Sequence, residues 1–351
     1  MTTPSANRGE WSELYAIGYL ITRGGGHAAD EFTTLDKSIF YKVLQVVDNP
    51  SGSSETIYKL HDEDVEILQN GVAVVRINKD QIAPKLNDFF QELLKQTESA
   101  AFALSTGYEL MQLIRKDKLS ASSALSADLH LILEDVETKS ETPKKGFSIK
   151  SEIGSPATIF NASHSTGLTY KIIGKGEPQT FQKVSAVKTN VKELVNQGFT
   201  LEFSKFDSPT FEKSLRNIDS NLPNYLAELL LAFTHSKTTN LRKVCEIAFP
   251  ENNLESEMKI QKIKKFLSAT SMGLKAATEW TGYPEDFGGL LLVKRNGDVL
   301  FYYLYNMKKF EEYLFNNLRF ETPDASKHDF GQVYTEGSDH FFKLNLQIRF
   351  K

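Results

Sequence analysis

The sequence predicts a mixed α/β fold, because segments with helical periodicity and short runs of β-branched residues alternate along the whole chain. Hydrophobic residues make up 40% and charged residues 25% of the 351 positions, a globular composition that excludes a disordered or fibrous chain. A chain of this length forms one large domain or two modest ones. Since no linker divides it convincingly, we expect a single domain over residues 1–351.

The first predicted helix covers residues 10–22, where Trp11, Leu14 and Tyr15 recur at helical spacing. Three consecutive glycines beginning at Gly24 are expected to end this helix. Leucine density, aromatic periodicity or basic amphipathic character predicts five further helices. These helices are expected at residues 81–97, 105–115, 222–235, 257–269 and 308–316.

Runs rich in β-branched and aromatic residues predict the strands. A turn-rich segment, 48–52, separates the first two strands, and Asn296-Gly297 is a strong hairpin signal between two later ones. A polar turn near 137–145 predicts a second hairpin, and the polar segment 152–166 is expected to be a loop. The predicted strands cover 40–47, 56–60, 72–77, 128–134, 146–151, 167–173, 289–294, 298–305 and 341–350.

The charge of the chain is unevenly distributed around a mild average of −4. Residues 1–143 carry 13 basic and 22 acidic side chains, whereas residues 144–192 carry eight lysines and two glutamates. We call residues 144–192 the basic island. The average excludes a polycation that coats nucleic acid, but it does not exclude a local basic groove. A binding site for a polyanion and a solvated lysine-rich face are both consistent with this segment.

The redox and membrane signals of the sequence favour the cytoplasm. Cys245 is the single cysteine, so the chain forms no internal disulfide and no thiolate-rich zinc site. Its apolar surroundings predict a core position. The amino-terminal segment has no apolar signal core, and no run of 18 apolar residues occurs. We therefore expect a soluble, cytoplasmic protein with no membrane contact.

One pair of residues has the chemistry of phosphodiester cleavage. Asp128 begins one predicted strand and Lys150 lies on the next, 22 residues later. A carboxylate can hold Mg²⁺, which prefers oxygen ligands, and an ammonium group stabilises negative charge that develops on a phosphate. Strand alternation places Ser148 and Lys150 on one face, with Phe147 and Ile149 on the other. By spacing alone, a surface ion pair at a strand end explains the same two residues.

The surrounding sequence resembles the PD-(D/E)XK nuclease core, with Ala127-Asp128 in the place of Pro-Asp and Ser148-Ile149-Lys150 in the place of (D/E)-X-K. The chain is similar, more specifically, to the HpaII-type type II restriction endonucleases. The similar blocks extend from residue 9 to residue 350 and are GEWSELYAI, ASSALSADLHLILED, GFSIKSEIGSPATIFNASHSTGLTYKI and LFNNLRFETPDASKHDFGQVYTEG…FKLNLQIRF.

This resemblance implies a mixed central sheet flanked by helices, with the catalytic core at approximately residues 100–200. It also implies a sequence-specific endonuclease that makes Mg²⁺-dependent double-strand cuts in DNA, at CCGG in the namesake of the family. The implied partners are double-stranded DNA, a cognate methyltransferase and a second copy of the chain on a palindromic site. Two alternatives remain: an inactive DNA-binding protein on the same fold, and a repair-type nuclease.

The resemblance leaves one carboxylate missing, because Ser148 stands where most PD-(D/E)XK enzymes have a second acid. Glu13 is our first candidate for the missing ligand, since many nucleases of this fold bring a helix-borne glutamate to the cleft. Glu152 is the alternative, because it shares the strand face of Lys150. The fold resemblance adds the backbone carbonyl of Ile149 as a metal ligand. The candidate catalytic residues are therefore Asp128, Lys150, Ser148 and Glu13.

The loop that follows Lys150 is the expected DNA contact. Asn161 has the amide that reads adenine edges, and serine or threonine hydroxyls can bond phosphate oxygens. The hydroxyl candidates are Ser155, Ser163, Ser165 and Thr166, and the phosphate-binding lysine candidates are Lys171, Lys175, Lys183 and Lys188. Guanine is usually read by arginine, and the candidate readers are Arg216, Arg242, Arg295 and Arg319. Turn formation and surface solvation explain the same residue types.

Overall fold

The structure is a computed structural model that describes residues 4–30, 34–48, 55–97, 100–119, 127–154, 158–181, 183, 185–251, 253–282, 286–303, 307–327 and 330–351. The chain divides into two compact units. Unit 1 comprises Met1–Pro156 and Pro284–Phe310, and unit 2 comprises Ala157–Tyr283 and Glu311–Lys351. Ser155, Leu304 and Tyr305 lie outside the described residues.

The elements of the amino-terminal part are, in chain order, β1 (Ser5–Ala6), α1 (Arg8–Arg23), β2 (Gly25–Ala29), β3 (Leu35–Asp48), β4 (Thr56–Leu60), β5 (Asp64–Gln69), β6 (Val72–Asn78), α2 (Lys79–Lys95), β7 (Phe102–Ala103), α3 (Ser105–Leu113), β8 (Leu129–Leu133) and β9 (Lys145–Ser151).

The remaining elements are β10 (Thr158–Phe160), β11 (Gly167–Ile173), α4 (Val187–Asn196), β12 (Thr200–Phe206), α5 (Pro209–Ile218), α6 (Leu222–His235), α7 (Leu241–Ala248), α8 (Leu254–Ser271), β13 (Phe287–Val293), β14 (Val299–Tyr303), α9 (Met307–Asn317), β15 (Leu318–Phe320), β16 (Val333–Glu336), β17 (Asp339–Asn345) and β18 (Ile348–Phe350). Short 3₁₀-helices cover His164–Thr166 and Ala325–Lys327.

A mixed sheet forms the framework of unit 1. Its nine strands are ordered β2-β14-β13-β9-β8-β3-β4-β5-β6, and β2 pairs with β3 as well as with β14. Strand β9 is antiparallel to β8 and parallel to β13. Because β9 has a hydrogen-bonded neighbour on each side, the strand that carries Lys150 is held firmly in the middle of the sheet.

Helix α1 is fixed at both ends and along one face. The Asn7 side chain and Glu10 form a reciprocal capping box at its start, and Gly24 ends it in a left-handed conformation with φ 72°. Trp11 and Leu14 are fully buried in the hydrophobic core of unit 1. The helix therefore holds its polar residues in defined positions against the sheet.

Unit 2 contains two smaller sheets and most of the other helices. A four-stranded sheet has the order β12-β11-β17-β16, and a three-stranded sheet has the order β10-β18-β15. The leucine-rich helix α6 packs against α4, α5, α7 and α8. Its bounds, Leu222–His235, agree with the sequence prediction, because its apolar residues follow helical spacing and its first turn contains Pro223.

The predicted mixed α/β fold is confirmed, and two local predictions are wrong. The segment 152–166 is not only a loop, because it contains β10 and a 3₁₀-helix. The predicted strand 341–350 is two strands, since β17 belongs to the four-stranded sheet and β18 to the three-stranded sheet. Both errors have one cause. Pairing with distant strands, which local sequence does not report, decides where these short strands begin and end.

Candidate active site

Asp128 lies directly before β8 and is tied to β9 by two hydrogen bonds. Its backbone N–H donates to the carbonyl of Phe147 at 3.0 Å, and its carboxylate Oδ2 accepts from the backbone N–H of Ile149 at 2.6 Å. The predicted hairpin of these two strands is confirmed, with Leu129 opposite Phe147. The chain that surrounds the carboxylate is therefore held rigidly, although Asp128 itself remains half-exposed.

The predicted inward packing of β9 is also confirmed. Phe147 and Ile149 are buried in the hydrophobic core, with 0% and 7% exposure. Ser148 is buried as well, at 8%, on a strand that has β8 on one side and β13 on the other. Lys150, near the end of the strand, is half-exposed and makes no ion pair with a described residue.

Glu13 extends from α1 into the same site. Burial is the main cause that raises the pKa of its carboxyl from 4.5 to about 8, and the charge of Asp128 is the second. The ammonium groups of Lys116 and Lys150 act in the opposite direction and lower this pKa. Charges affect a pKa to this extent only at short range. The structure thus brings Glu13, Asp128 and Lys150 together, and places Lys116 beside them.

Glu152 has a different environment. Its carboxylate Oε1 forms an ion pair with Lys294 Nζ at 2.5 Å, and its backbone N–H donates to Val293 at 2.9 Å. It is absent from the charges that shift the pKa of Glu13. Of the two candidates for the missing acid, Glu13 is the one that shares a site with Asp128.

Lys116 was missed by the sequence reasoning. It is 5% exposed, and its ammonium forms an ion pair with the carboxylate of Asp48 at 2.5 Å. Asp48 is 6% exposed at the end of β3. Nothing in the local sequence distinguishes Lys116 from the surface lysine Lys118, because only tertiary packing buries one of them.

His130 faces a carboxylate that the sequence did not reveal. Its Nε2 lies 3.0 Å from Asp286 Oδ2, and the carbonyl of Asp286 accepts from the N–H of Gly146 at 2.6 Å. This arrangement ties the starts of β9 and β13 together. The Nε2 atom of His130 therefore has a hydrogen-bond partner, as expected for a structural histidine on a strand. Its buried Nδ1 atom has no hydrogen-bond partner among the described residues.

In unit 2, the predicted DNA-contact residues Ser163 and Thr166 belong to a compact polar network. Thr166 is fully buried and donates to Asn345 Oδ1 at 2.6 Å, while Asn345 Nδ2 donates to the Ser163 carbonyl at 2.8 Å. The Ser163 N–H donates to Thr166 Oγ1 at 2.8 Å. Thr166 has no exposed surface for a phosphate, and its hydroxyl instead stabilises the turn at residues 163–166.

The other DNA-contact candidates differ in their exposure to solvent and in whether they already form an ion pair. Asn161 and Lys175 are exposed, whereas Lys171 is paired with Asp339 at 2.7 Å. Lys188 donates to the Ser236 carbonyl and lies over the ring of Phe233 at 3.7 Å. Three of the four candidate arginines form ion pairs, namely Arg216 with Glu212, Arg242 with Glu312 and Arg319 with Glu321. Arg295 is exposed.

The described residues contain neither a dense cluster of metal-ligand side chains nor a helix that could span a membrane. No group of three or more histidine, cysteine, aspartate or glutamate side chains within these ranges is arranged to hold a metal ion. No described helix is long and apolar enough to cross a membrane.

Comparison with known protein families identifies this chain as a restriction endonuclease. The family model described as HpaII restriction endonuclease matches residues 7–350. The chain is also 34% identical to "Type II restriction enzyme HpaII" of Haemophilus parainfluenzae, over 99% of this chain and 98% of that protein. The chain therefore belongs to the HpaII restriction endonuclease family, whose members are site-specific deoxyribonucleases. No solved structure matches.

Proposed function

We propose that this restriction endonuclease cleaves both strands of DNA in a Mg²⁺-dependent reaction at the site formed by Glu13, Asp128 and Lys150. The observation that carries the proposal is the electrostatic influence of Asp128 and Lys150 on Glu13; the three side chains come from the start of β8, β9 and α1. Two carboxylates and one ammonium in a partly buried site match the needs of phosphodiester hydrolysis.

The residues at this site fit a hard divalent cation. Burial and the charge of Asp128 destabilise the anionic form of Glu13, and a bound cation would offset both effects. The Ile149 backbone carbonyl is a third proposed ligand, by the family pattern. Ser148 is buried and contributes no charge, so the DNA phosphate would complete the set of oxygen ligands.

The chain's own groups have separate tasks in the proposed reaction. Asp128 is kept in position by the N–H of Ile149, which leaves its other oxygen available as a ligand. The Lys150 ammonium stabilises the negative charge that develops on the scissile phosphate. Glu13 supplies the charge that Ser148 does not. Mg²⁺, when bound, polarises the phosphate and lowers the pKa of the attacking water.

DNA binding is proposed to involve the basic island and the turn after β10. Asn161, Lys175 and Lys183 are exposed and can meet bases or phosphates without first breaking an ion pair with a described residue. Lys171 would exchange Asp339 for a phosphate oxygen. Ser163 and Thr166 are proposed to hold the turn through Asn345, so that their part in DNA binding is indirect.

The recognition sequence, the oligomeric state and the partner enzyme are proposed from the family resemblance. We propose recognition of CCGG, action as a homodimer on this palindrome, and pairing with a methyltransferase of the same specificity in the cytoplasm. A two-fold DNA sequence presents identical half-sites, so two copies of one chain can place one Lys150 at each strand. The single buried Cys245 is compatible with a reducing compartment.

Digestion of plasmid DNA with and without Mg²⁺ tests the proposal. Wild type is expected to give discrete bands whose ends map to CCGG. Asp128→Asn and Lys150→Ala should each reduce cleavage by about a hundredfold or more while DNA affinity is retained. Lys95→Ala, which changes an exposed lysine at the end of α2 and outside the basic island, is the control and should cut like wild type.

Other outcomes would select the alternatives. Intact DNA at every Mg²⁺ concentration would indicate an inactive binding protein, and a smear would indicate a non-specific, repair-type nuclease. Wild-type cleavage by either Asp128→Asn or Lys150→Ala would show that the active centre lies elsewhere.

A further inference from the structure

A second cavity lies in unit 1, on the side of α1 that faces away from Glu13. Its volume is about 770 Å³, and its walls come from α1, α2, β2, β3 and the turn between β13 and β14. Tyr15 and Tyr19 of α1 line it, about half a turn around the helix from Glu13. Small-molecule sites are typically cavities of about 300–1,000 Å³. The cavity thus has room for a ligand and is separate from the candidate active site.

One wall of this cavity is aromatic. The rings of Tyr15 and Phe90 stack with centroids 4.3 Å apart, at an interplanar angle of 28°. Phe40 also lines the cavity and is 44% exposed, although it is a large apolar side chain. Its only described ring contact is the edge of His27 at 5.1 Å. A planar ligand would cover Phe40 and gain aromatic contact with it.

The charged side chains at the cavity include more cations than acids. Arg23, Lys37 and Lys79 are the cations, and no described carboxylate forms an ion pair with any of them. Lys79 donates instead to the carbonyl oxygens of His61 and Asp62, at 2.6 and 3.2 Å. An anionic group of a ligand would be a partner for Arg23 and Lys37, which form no ion pair with a described residue.

The same cavity offers groups that accept and donate hydrogen bonds. Asp298 accepts from Asn296 at 2.8 Å, which fixes its carboxylate beside the cavity. The side-chain amides of Asn87 and Gln91 line the wall formed by α2. These groups suit a ligand that carries hydroxyl or amino donors besides its ring and its anion.

We propose that this cavity is a binding site for a free nucleoside monophosphate. Its base packs on the exposed ring of Phe40, beside the edge of the buried Tyr15–Phe90 pair. Its phosphate meets Arg23 and Lys37, and its sugar or amino donors reach Asp298. A mononucleotide combines a planar ring, an anion and donors, which are the three features that the lining provides. The proposal does not depend on the nuclease mechanism, because none of these residues belongs to the candidate active site.

Isothermal titration of the full chain with 2′-deoxyadenosine 5′-monophosphate, in buffer with EDTA, tests this inference. We expect saturable binding of one molecule per chain, at least about tenfold tighter than binding of adenosine or of inorganic phosphate. Arg23→Gln should weaken binding by about tenfold, since it removes a charged hydrogen bond to the phosphate. Lys37→Gln is a second variant of the same kind.

Matched controls make the result decisive. Lys85→Gln changes an exposed lysine of α2 that is paired with Glu109 outside the cavity, and it should bind like wild type. Lys150→Ala should also bind like wild type, since it changes only the candidate active site. Phe40→Ala should weaken binding of the nucleotide but not of inorganic phosphate.

Three results would overturn the inference. The first is no saturable binding up to about 10 mM nucleotide, which corresponds to less than about 3 kcal/mol of binding free energy. The second is loss of binding in Lys150→Ala, which would place the nucleotide in the active site. The third is displacement of the nucleotide by a single-stranded oligonucleotide at lower concentration, which would assign the cavity to DNA.

Discussion

Replacement of Glu13 by glutamine should make this protein more stable and less active. Burial raises the pKa of the Glu13 carboxyl from 4.5 to about 8. Between these two pH values the folded protein keeps a proton that the unfolded chain has released. The free energy of unfolding of the wild type therefore falls as the pH rises from about 4.5 to 8, whereas a glutamine side chain does not titrate.

The size of the effect follows from the same shift. A difference from 4.5 to about 8 corresponds to an upper bound of about 5 kcal/mol. Glu13 is half-buried, and solvent screening reduces that bound, so we expect Glu13→Gln to gain about 2 kcal/mol at pH 9. At pH 4 the two proteins should have nearly equal stability, because both side chains are then neutral.

Urea unfolding followed by circular dichroism, without Mg²⁺, measures this difference at both pH values. Glu152→Gln is the matched control, because Glu152 is paired with Lys294. Its loss should cost about 0.5 kcal/mol and give no gain at pH 9. A stability difference for Glu13→Gln that does not grow from pH 4 to pH 9 would refute the assignment of Glu13 to a poorly solvated, like-charged site.

The cleavage assay gives the second half of this prediction. Glu13→Gln should cut much more slowly and need more Mg²⁺ for half-maximal activity, and Glu152→Gln should be less affected. In the wild type, the Mg²⁺ requirement should fall about tenfold for each pH unit up to about 8, since the cation replaces one proton on Glu13. Greater damage in Glu152→Gln would assign the missing ligand to the strand of Lys150.

Two further predictions concern the charges around the site. Lys116→Met should lower the free energy of unfolding by about 3–5 kcal/mol, because it leaves the buried carboxylate of Asp48 unpaired. The double variant Lys116→Met/Asp48→Leu should recover much of that loss. Equal stability of Lys116→Met and wild type would exclude a buried ion pair. DNA affinity should decrease steeply as the salt concentration rises, despite the net charge of −4. Lys175→Ala should lower the slope of log affinity against log salt concentration by about one. A flat dependence would exclude the basic island as the DNA-binding surface.

Local signals predicted the elements that are stabilised locally. Helix α1 has a capping box at Asn7 and a glycine C-cap at Gly24, so its sequence contains both its start and its end. Helix α6 and strand β4 have the bounds that the sequence predicts. The hairpin of β8 and β9 was predictable because its polar turn and its alternating strands are adjacent in the chain.

Elements that depend on distant partners were not predictable. Gly25 and Gly26 were expected only to end a helix, yet they form β2, which pairs with both β3 and β14. Strand β5 was not predicted either, although it lies between β4 and β6 in the nine-stranded sheet. A strand is completed by hydrogen bonds from its neighbours, so its stability depends on residues far away in the sequence.

At the candidate site, too, the sequence indicated some properties and only the tertiary structure determined others. Residue chemistry and family resemblance selected Asp128, Lys150 and Glu13 from the sequence, since carboxylates and an ammonium are recognisable wherever they lie. Only the tertiary structure decided that Glu13 rather than Glu152 lies beside Asp128, that Lys116 is buried, and that Thr166 is enclosed. Burial and charge proximity are properties of the packed chain, and they determine which of several similar side chains share one site.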